Sequence, residues 1–137
     1  MNAILKKAWG WIVGVRPMSA QARGQSAETR AAAHLGEHGL KILARNVHCR
    51  HGEIDLICLE RDTVVFVEVR LRTNRRYGGA LESITTAKRR RIIFAARWWL
   101  AGPGRAFTAH NCRFDVVLFD DAGASQAHWI RAAFELD

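Results

Sequence analysis

The chain has 137 residues, a formal net charge of +8 at pH 7 and a hydrophobic fraction of 49%. This length allows one domain with its own core, and the hydrophobic fraction excludes wholesale disorder. A small domain this basic is typical of proteins that bind an acidic polymer, most often nucleic acid and less often an anionic membrane. A merely soluble cationic surface is the competing interpretation.

The three cysteines, Cys49, Cys58 and Cys112, show no CxxC spacing. We therefore expect thiols in a reducing compartment, which predicts a cytoplasmic protein. The spacing of Cys49, Cys112 and the histidines does not favour a zinc site.

Residues 1–22 are predicted to form an N-terminal tail, and residues 23–137 a single domain. The apolar stretch AWGWIVGV in the tail is too short to span a bilayer, so we expect no transmembrane segment. Three interpretations of the tail stay open: a short amphipathic helix, a disordered segment, or a gene start that truly lies at Met18. We favour the last two.

The first helix is predicted to begin at Ser26 as its N-cap and to end at Gly39. Glu28, Ala32 and Leu35 are spaced at i, i+4 and i+7, so Glu28 leans towards the buried stripe. The competing interpretation is an acid that complements the helix dipole.

Three strands should follow, over residues 40–47, 53–59 and 63–71, and the last two form a hairpin around a polar turn. The last strand has two mostly apolar faces, which predicts a central strand covered on both sides. One face carries Val64, Phe66, Glu68 and Arg70, and the other carries Val65, Val67, Val69 and Leu71.

Glu68 is an acid at a position where a covered strand would normally carry an apolar residue. Burying a charge without a partner costs several kcal/mol or more. Asp55 on the neighbouring strand can lie close to Glu68, and Arg70 follows on the same face. Two acids that meet in a half-buried sheet indicate a divalent-cation site.

Basic residues follow the hairpin. In the loop of residues 73–79, Arg75 and Arg76 can reach phosphates and Tyr77 can stack on a base, although a solvated loop is the alternative. A second helix, over residues 84–100, should begin at Thr85 or Thr86. Its core stripe is Ile92, Ala95, Ala96 and Trp99.

Lys88 stands at the start of that helix on the inward stripe, and Arg89, Arg90 and Arg91 spread around its other sides. Such a cluster opposes the helix dipole but suits a polyanion; a solvated basic face is the alternative and covers Arg89 or Arg90. Strands over residues 113–119 and 129–134 complete an α/β layered domain.

The stretches GEIDLI and VVFVEVRLR, followed by YGGALESITTAKRRRI, resemble the YraN-like family. These small bacterial proteins belong to the PD-(D/E)xK nuclease-like superfamily and are related to Holliday-junction resolvases. The resemblance covers residues 23–134. It implies a restriction-endonuclease-like αβββαβ core, with a mixed central sheet flanked by helices.

The resemblance further implies a Mg²⁺- or Mn²⁺-dependent endonuclease that hydrolyses DNA phosphodiester bonds, with branched or damaged DNA as candidate substrates. Asp55 and Glu68 fall on the superfamily's acidic positions, and Glu28 falls on a helix-borne acid. The Val69 carbonyl would supply a further metal ligand. The nucleic-acid contacts implied by position and charge are Arg72, Arg75, Arg76, Tyr77, Lys88, Arg89 and Arg91.

Arg70 departs from the family pattern, which has lysine there. Arginine stays protonated and cannot act as a general base, but it can stabilise charge in a catalytic role. The alternative function is therefore a catalytically weakened or inactive nucleic-acid-binding module on the same fold. A third interpretation is structural, with Asp55 and Glu68 paired to Arg70 and Lys88. The residues do not decide whether the chain forms a homodimer, which junction-cutting relatives usually need.

Overall fold

The structure is a computed structural model that describes residues 19–72, 84–120 and 126–135. Its order of elements agrees with the predicted fold class, a restriction-endonuclease-like α/β core. The elements are α1 (Ala20–Glu37), β1 (Lys41–Cys49), β2 (Gly52–Glu60), β3 (Thr63–Arg72), α2 (Thr86–Ala101), a 3₁₀ turn (Arg105–Phe107), β4 (Asn111–Asp120) and β5 (His128–Phe134).

The five strands form one mixed sheet in the order β1-β2-β3-β4-β5. Only β3 and β4 run parallel; the other neighbouring pairs are antiparallel. A parallel pair needs a crossover connection, and α2 lies within that connection. The prediction that β3 is central and covered on both sides is confirmed.

Each face of the sheet carries its own hydrophobic core. On one face, α2 packs through Ile92 and Trp99 against a cluster that includes Phe66 of β3. On the other face, α1 packs through Ala31 and Leu35 on the valines of β3. Both predicted faces of β3 are confirmed, so its polar residues have fixed directions.

The predicted start of α1 at Ser26 is wrong. The helix begins at Ala20, so Ser26 lies inside it and Glu28 is not in the first turn. The residues before Ser26 are mostly good helix formers, which lets the helix extend past a polar residue that could have capped it. The C-terminal end agrees with the prediction: Gly39 has φ +90°, and the N–H of Leu40 donates to the carbonyl of Leu35 at 3.0 Å.

The second helix is confirmed, with its cap resolved in favour of Thr85. The Thr85 hydroxyl accepts a hydrogen bond from the Lys88 N–H at 3.1 Å. The cap fixes the first turn of α2, and with it the direction in which Lys88 leaves the helix. The predicted core stripe of α2 is buried as expected.

Within the described residues, no helix has the length and apolar character needed to cross a membrane. Most of the predicted tail, residues 1–18, lies outside the described part of the chain. The last three residues assigned to the tail belong to α1, which begins at Ala20.

Gly52 marks a close contact between β2 and α2. A Cβ atom added there would overlap the backbone carbonyl oxygen of Arg91 and press on Ala95. Because the helix backbone cannot move aside alone, Gly52→Ala should lower the free energy of unfolding by about 1–3 kcal/mol. Chemical denaturation monitored by circular dichroism would measure this.

Gly36→Ala is the matched control. Gly36 lies near the end of α1 with no atom within 4 Å of an added Cβ, so the variant should be as stable as the wild type or more stable by up to about 1 kcal/mol. If Gly52→Ala unfolds at the wild-type denaturant concentration, the close packing of α2 on β2 is contradicted.

Candidate metal centre

Glu68 is a buried acid in the middle strand of the sheet. It lies on the α2 face of β3 and is only 5% exposed. Burial, and next the negative charge of Asp55, raise the pKa of Glu68 to about 8. Its Oε1 faces two cations, Lys88 Nζ at 3.5 Å and Arg70 Nη1 at 3.8 Å. Its Oε2 is buried and has no hydrogen-bond partner. The carboxyl is therefore only half satisfied.

Asp55 lies where the side chains of β2 stop alternating regularly between the two faces of the sheet. Ile54 belongs to the α2-side core and Leu56 to the α1-side core, although a regular strand would put both on one face. The ladder between β2 and β3 is regular only from Leu56 opposite Val67 onwards. Beyond that point, Asp55 Oδ2 accepts the hydrogen bond of the Val69 N–H at 2.8 Å. The carboxylate thus takes the place of a backbone partner.

The carboxyl groups of Asp55 and Glu68 lie close enough to interact electrostatically. Burial raises the pKa of Asp55, and the hydrogen bond from the Val69 N–H is the main effect that opposes the rise. Two acids this close cannot both ionise without repulsion. A divalent cation would remove that repulsion.

Glu28 approaches the same place from α1. It is half-buried beside the helix stripe that Ala31 and Leu35 form. Burial, followed by the charge of Asp55, raises the pKa of Glu28, while a hydrogen bond with Asn46 of β1 opposes the rise. Asp55 therefore interacts with both Glu28 and Glu68, and we call these three acids the carboxyl row.

Lys88 reaches the site from α2. Its Nζ donates to Glu53 Oε1 at 2.9 Å and lies 3.5 Å from Glu68 Oε1. Burial works against the ammonium charge, but the hydrogen bond to Glu53 and the nearby carboxylates outweigh it and raise the pKa of Lys88. Lys88 is accordingly a cation at neutral pH.

Glu53 is the site residue that the sequence analysis missed. It accepts from Lys88 and also faces Arg91 Nη2 at 3.5 Å and His48 Nδ1 at 3.7 Å. The hydrogen bond from Lys88 is the main reason that the pKa of Glu53 is lowered. Its place two residues before Asp55 in GEID was the available signal.

These oxygens suit a hard divalent cation. Mg²⁺ takes carboxylate oxygens, often only one or two from the protein, and keeps several waters. The unpartnered Glu68 Oε2 and the repulsion between the two acids fit such an ion. Among the described residues, however, no three histidine, cysteine, aspartate or glutamate side chains are grouped closely enough to form a metal cage. The acids form a row that would leave most of the coordination to water and substrate.

The remaining residues that were predicted to contact nucleic acid divide into three groups. Arg91 is 57% exposed and contacts the centre through Glu53. Arg89 points to another side of α2, where its guanidinium lies 5.7 Å from the ring centroid of Phe134. The structure records the backbone of Arg72 in β3, but the side chain of Arg72 and all of Arg75, Arg76 and Tyr77 lie outside the described residues.

Asp115 of β4 shows how this sheet treats a buried acid that is fully satisfied. It is 0% exposed. It accepts from Arg113 Nε at 2.8 Å and Nη2 at 3.0 Å, from Trp129 Nε1 at 2.9 Å and from the Ala132 N–H at 2.9 Å. Sequence reasoning placed Asp115 in a strand but did not identify this network. Its complete set of donors gives Asp115 a structural role and makes Glu68 the exception.

Replacing Glu68 by glutamine should stabilise the protein when no divalent cation is present. The raised pKa means that folding favours the protonated carboxyl, so wild-type stability should fall as pH rises from about 4.5 to about 8. Glu68→Gln removes the buried charge and should raise the free energy of unfolding at pH 8 by about 1–3 kcal/mol. Denaturation in EDTA across this pH range would measure it.

Glu37→Gln is the control for that experiment, because Glu37 is an exposed acid at the end of α1. It should follow the wild-type stability curve. A Glu68→Gln protein less stable than the wild type at pH 8 would show that Lys88 and Arg70 fully compensate the Glu68 charge, which would contradict the half-satisfied carboxyl.

Comparison with known proteins assigns the chain to a family. The family profile described as "Uncharacterised protein family UPF0102" matches residues 27–119. A UPF0102 protein of Pseudomonas fluorescens is 48% identical over 119 residues, which cover 85% of this chain and 96% of that relative. A UPF0102 protein of Nitrosomonas europaea is 50% identical over 117 residues, covering 85% of this chain and 97% of the relative. The chain therefore belongs to the UPF0102 family, the YraN family that its hairpin motif resembles.

Proposed function

We propose that the protein is a Mg²⁺- or Mn²⁺-dependent nuclease that hydrolyses phosphodiester bonds in DNA. The observation that supports this best is the buried Asp55–Glu68 pair, in which Glu68 Oε2 has no partner. The resemblance of this hairpin to the PD-(D/E)xK superfamily supports the same reaction by analogy. The net charge of +8 suits a polyanionic substrate.

Asp55 and Glu68 are the residues that would hold the metal, with Glu28 beside Asp55 and the Val69 carbonyl as a further oxygen. When bound, such a cation would lower the pKa of a coordinated water and offset the charge that develops on the phosphate. The hydrogen bond from the Val69 N–H would keep Asp55 in position before the cation arrives.

Lys88 and Arg70 would act on the phosphate as cations. Both already contact Glu68 Oε1, so a phosphate bound beside Glu68 would lie within their reach. Neither would accept a proton, since arginine stays protonated and the pKa of Lys88 is raised. A proton released by an attacking water would pass to a carboxylate or to the solvent.

Lys88 would also explain the arginine at the usual lysine position. Its ammonium lies 3.5 Å from Glu68 Oε1, against 3.8 Å for Arg70 Nη1. The helix would thus provide the compact lysine charge that the strand lacks, and Arg70 would retain a phosphate-holding role.

A DNA-binding module with a weakened centre is the second candidate function. It is favoured by the two cations that already contact Glu68 Oε1 and by the lack, among the described residues, of three acids, histidines or cysteines grouped to hold a metal. Both functions require DNA binding, so catalysis and metal binding must separate them. The homodimer, the shape of the DNA and the cytoplasmic location stay predictions.

Asp55→Asn and Glu68→Gln should each reduce DNA cleavage in Mg²⁺ or Mn²⁺ by about 100-fold or more, because each removes charge that the reaction centre needs. Labelled duplex, single-stranded and four-way-junction DNA would be the substrates. The same variants should lose Mn²⁺ binding measured by electron paramagnetic resonance.

Identical purification of both variants controls for a contaminating nuclease, and Glu37→Gln should cleave as the wild type does. Wild-type DNA binding without Mn²⁺ binding or cleavage would reject the nuclease and favour the binding module. Equal cleavage by all proteins would point to contamination.

Arg70→Lys should increase the cleavage rate, because it restores a lysine two residues after Glu68, where the family pattern has one. We expect a rise of about tenfold if Arg70 limits the reaction, which corresponds to about 1.4 kcal/mol in the activation free energy. Single-turnover kinetics with saturating protein would separate this from weaker DNA binding. An unchanged or lower rate in Arg70→Lys, together with inactivity of Lys88→Gln, would assign the main cationic role to Lys88 instead.

A further inference from the structure

The outer face of α2 carries two large exposed hydrophobic side chains. Phe94 is 47% exposed and Trp98 is 43% exposed, and no other large hydrophobic side chain in the described residues is as open to solvent. They are four residues apart, so they are neighbours on one face of the helix. The opposite face of α2 is buried in the core, so packing within the described residues does not explain them.

Arginines surround the two rings. Arg90, Arg91 and Arg97 project from the same outer side of α2, a helix that contains five basic residues and no acidic residue. Within the described part of the chain, Arg90 and Arg97 have no ion-pair or hydrogen-bond partner. We call Arg90, Arg91, Phe94, Arg97 and Trp98 the α2 stripe. It combines two exposed aromatic rings with three arginines, of which Arg91 alone has a described acidic partner, Glu53.

The stripe continues into the candidate metal centre. Arg91 Nη2 lies 3.5 Å from Glu53 Oε1, and the same oxygen accepts the hydrogen bond of Lys88. The helix rise places Trp98 about 15 Å along α2 from Lys88. That length corresponds to about four nucleotides of a stacked strand.

The rings themselves are available for stacking. The His51 ring from the turn between β1 and β2 meets the Phe94 ring edge-on, with 5.6 Å between centroids. His51 thus borders Phe94 on one side and leaves the exposed part of its ring towards solvent. Bases of any type can stack on exposed aromatic rings, and such stacking strengthens the binding of single strands.

A second copy of this chain fits the stripe poorly. A two-fold dimer through this face would place the three arginines against the same arginines of the partner, with no acidic residue on α2 to compensate. A nucleic-acid strand offers both complementary groups, because its phosphates pair with arginine and its bases have flat faces. A duplex hides those faces within its stack, so the matching ligand has unpaired bases.

We propose that the α2 stripe binds an unpaired nucleic-acid strand, with bases stacked on Phe94 and Trp98 and phosphates held by Arg90, Arg91 and Arg97. The strand runs along α2 towards Lys88 and the carboxyl row. This direction rests on the proposed nuclease function; the stacking itself does not. The substrate class is then DNA with a single-stranded segment, such as a flap, a gap or a junction with unpaired arms.

The test measures binding in EDTA, so that cleavage cannot occur. Fluorescence anisotropy at fixed salt would compare a labelled oligothymidylate with a labelled duplex of the same length. The double substitution Phe94→Leu with Trp98→Leu keeps apolar bulk but removes both rings. It should weaken oligothymidylate binding at least about tenfold and change duplex binding less than about twofold.

Trp98→Tyr is the conservative control, because it keeps a ring for stacking and should retain most of the single-strand affinity. Both side chains are exposed, so the variants should fold, and circular dichroism with thermal melting would verify this. Arg97→Gln should weaken binding to the single strand and also reduce its salt dependence.

Three results would overturn the proposal. The first is wild-type protein that does not bind oligothymidylate, or binds it as tightly as the leucine variant does. The second is an equal loss of affinity for the single strand and for the duplex in the leucine variant, which would show that stacking is not involved. The third is a homodimer in analytical ultracentrifugation that the leucine variant converts to monomers, because a second copy would then cover the stripe.

These experiments also distinguish failure of the proposed nuclease activity from failure of the stripe proposal. Ring-dependent binding without any cleavage would reject the proposed activity and leave the stripe in place. Glu68-dependent cleavage by a leucine variant that still binds oligothymidylate normally would reject the stripe and leave the nuclease in place.

Discussion

The structure around the candidate centre depends on one constraint, which is that an acid must be accommodated inside a central strand covered on both faces. Glu68 cannot leave the sheet, because Phe66 and Val67 before it lie in the two cores. The neighbouring strand responds by ending its regular pairing at Leu56. Asp55 then binds the freed Val69 N–H with its side chain. The site thus lies where the regular ladder between β2 and β3 ends.

The same sheet contains a second buried acid, Asp115, whose hydrogen bonding differs from that of Glu68. Asp115 lies deeper, at 0% exposure, yet four hydrogen bonds satisfy its carboxylate. Such a network stabilises a buried charge and needs no ligand. Glu68 has cations on one oxygen and no partner on the other. The sheet therefore supplies a full set of donors to one buried acid and leaves one oxygen of the other without any, which supports the proposal that Glu68 binds a cation.

Sequence alone predicted the elements and the meeting of Asp55 with Glu68, because apolar alternation and turn residues are local signals. It placed the start of α1 six residues too late, since Ser26 can cap a helix or lie within one, and the residues before it are mostly good helix formers. Glu53 and the donors of Asp115 were missed for another reason. Most of their partners lie far along the chain, as Lys88 does from Glu53 and Trp129 does from Asp115. Such contacts depend on how α2 packs on the sheet and how β5 pairs within it.

The docking of α2 also accounts for its unusual N-terminus. Four consecutive basic residues oppose the helix dipole there, which destabilises an isolated helix. In the folded protein, Lys88 and Arg91 face the carboxylates of Glu53 and Glu68, while Arg89 lies against Phe134. Arg90 has no partner among the described residues and belongs to the α2 stripe. The helix therefore distributes one run of like charges between the centre, the sheet edge and the outer surface. Because Lys88 contacts both Glu53 and Glu68, a phosphate that bound at the start of α2 would change the electrostatic surroundings of both acids.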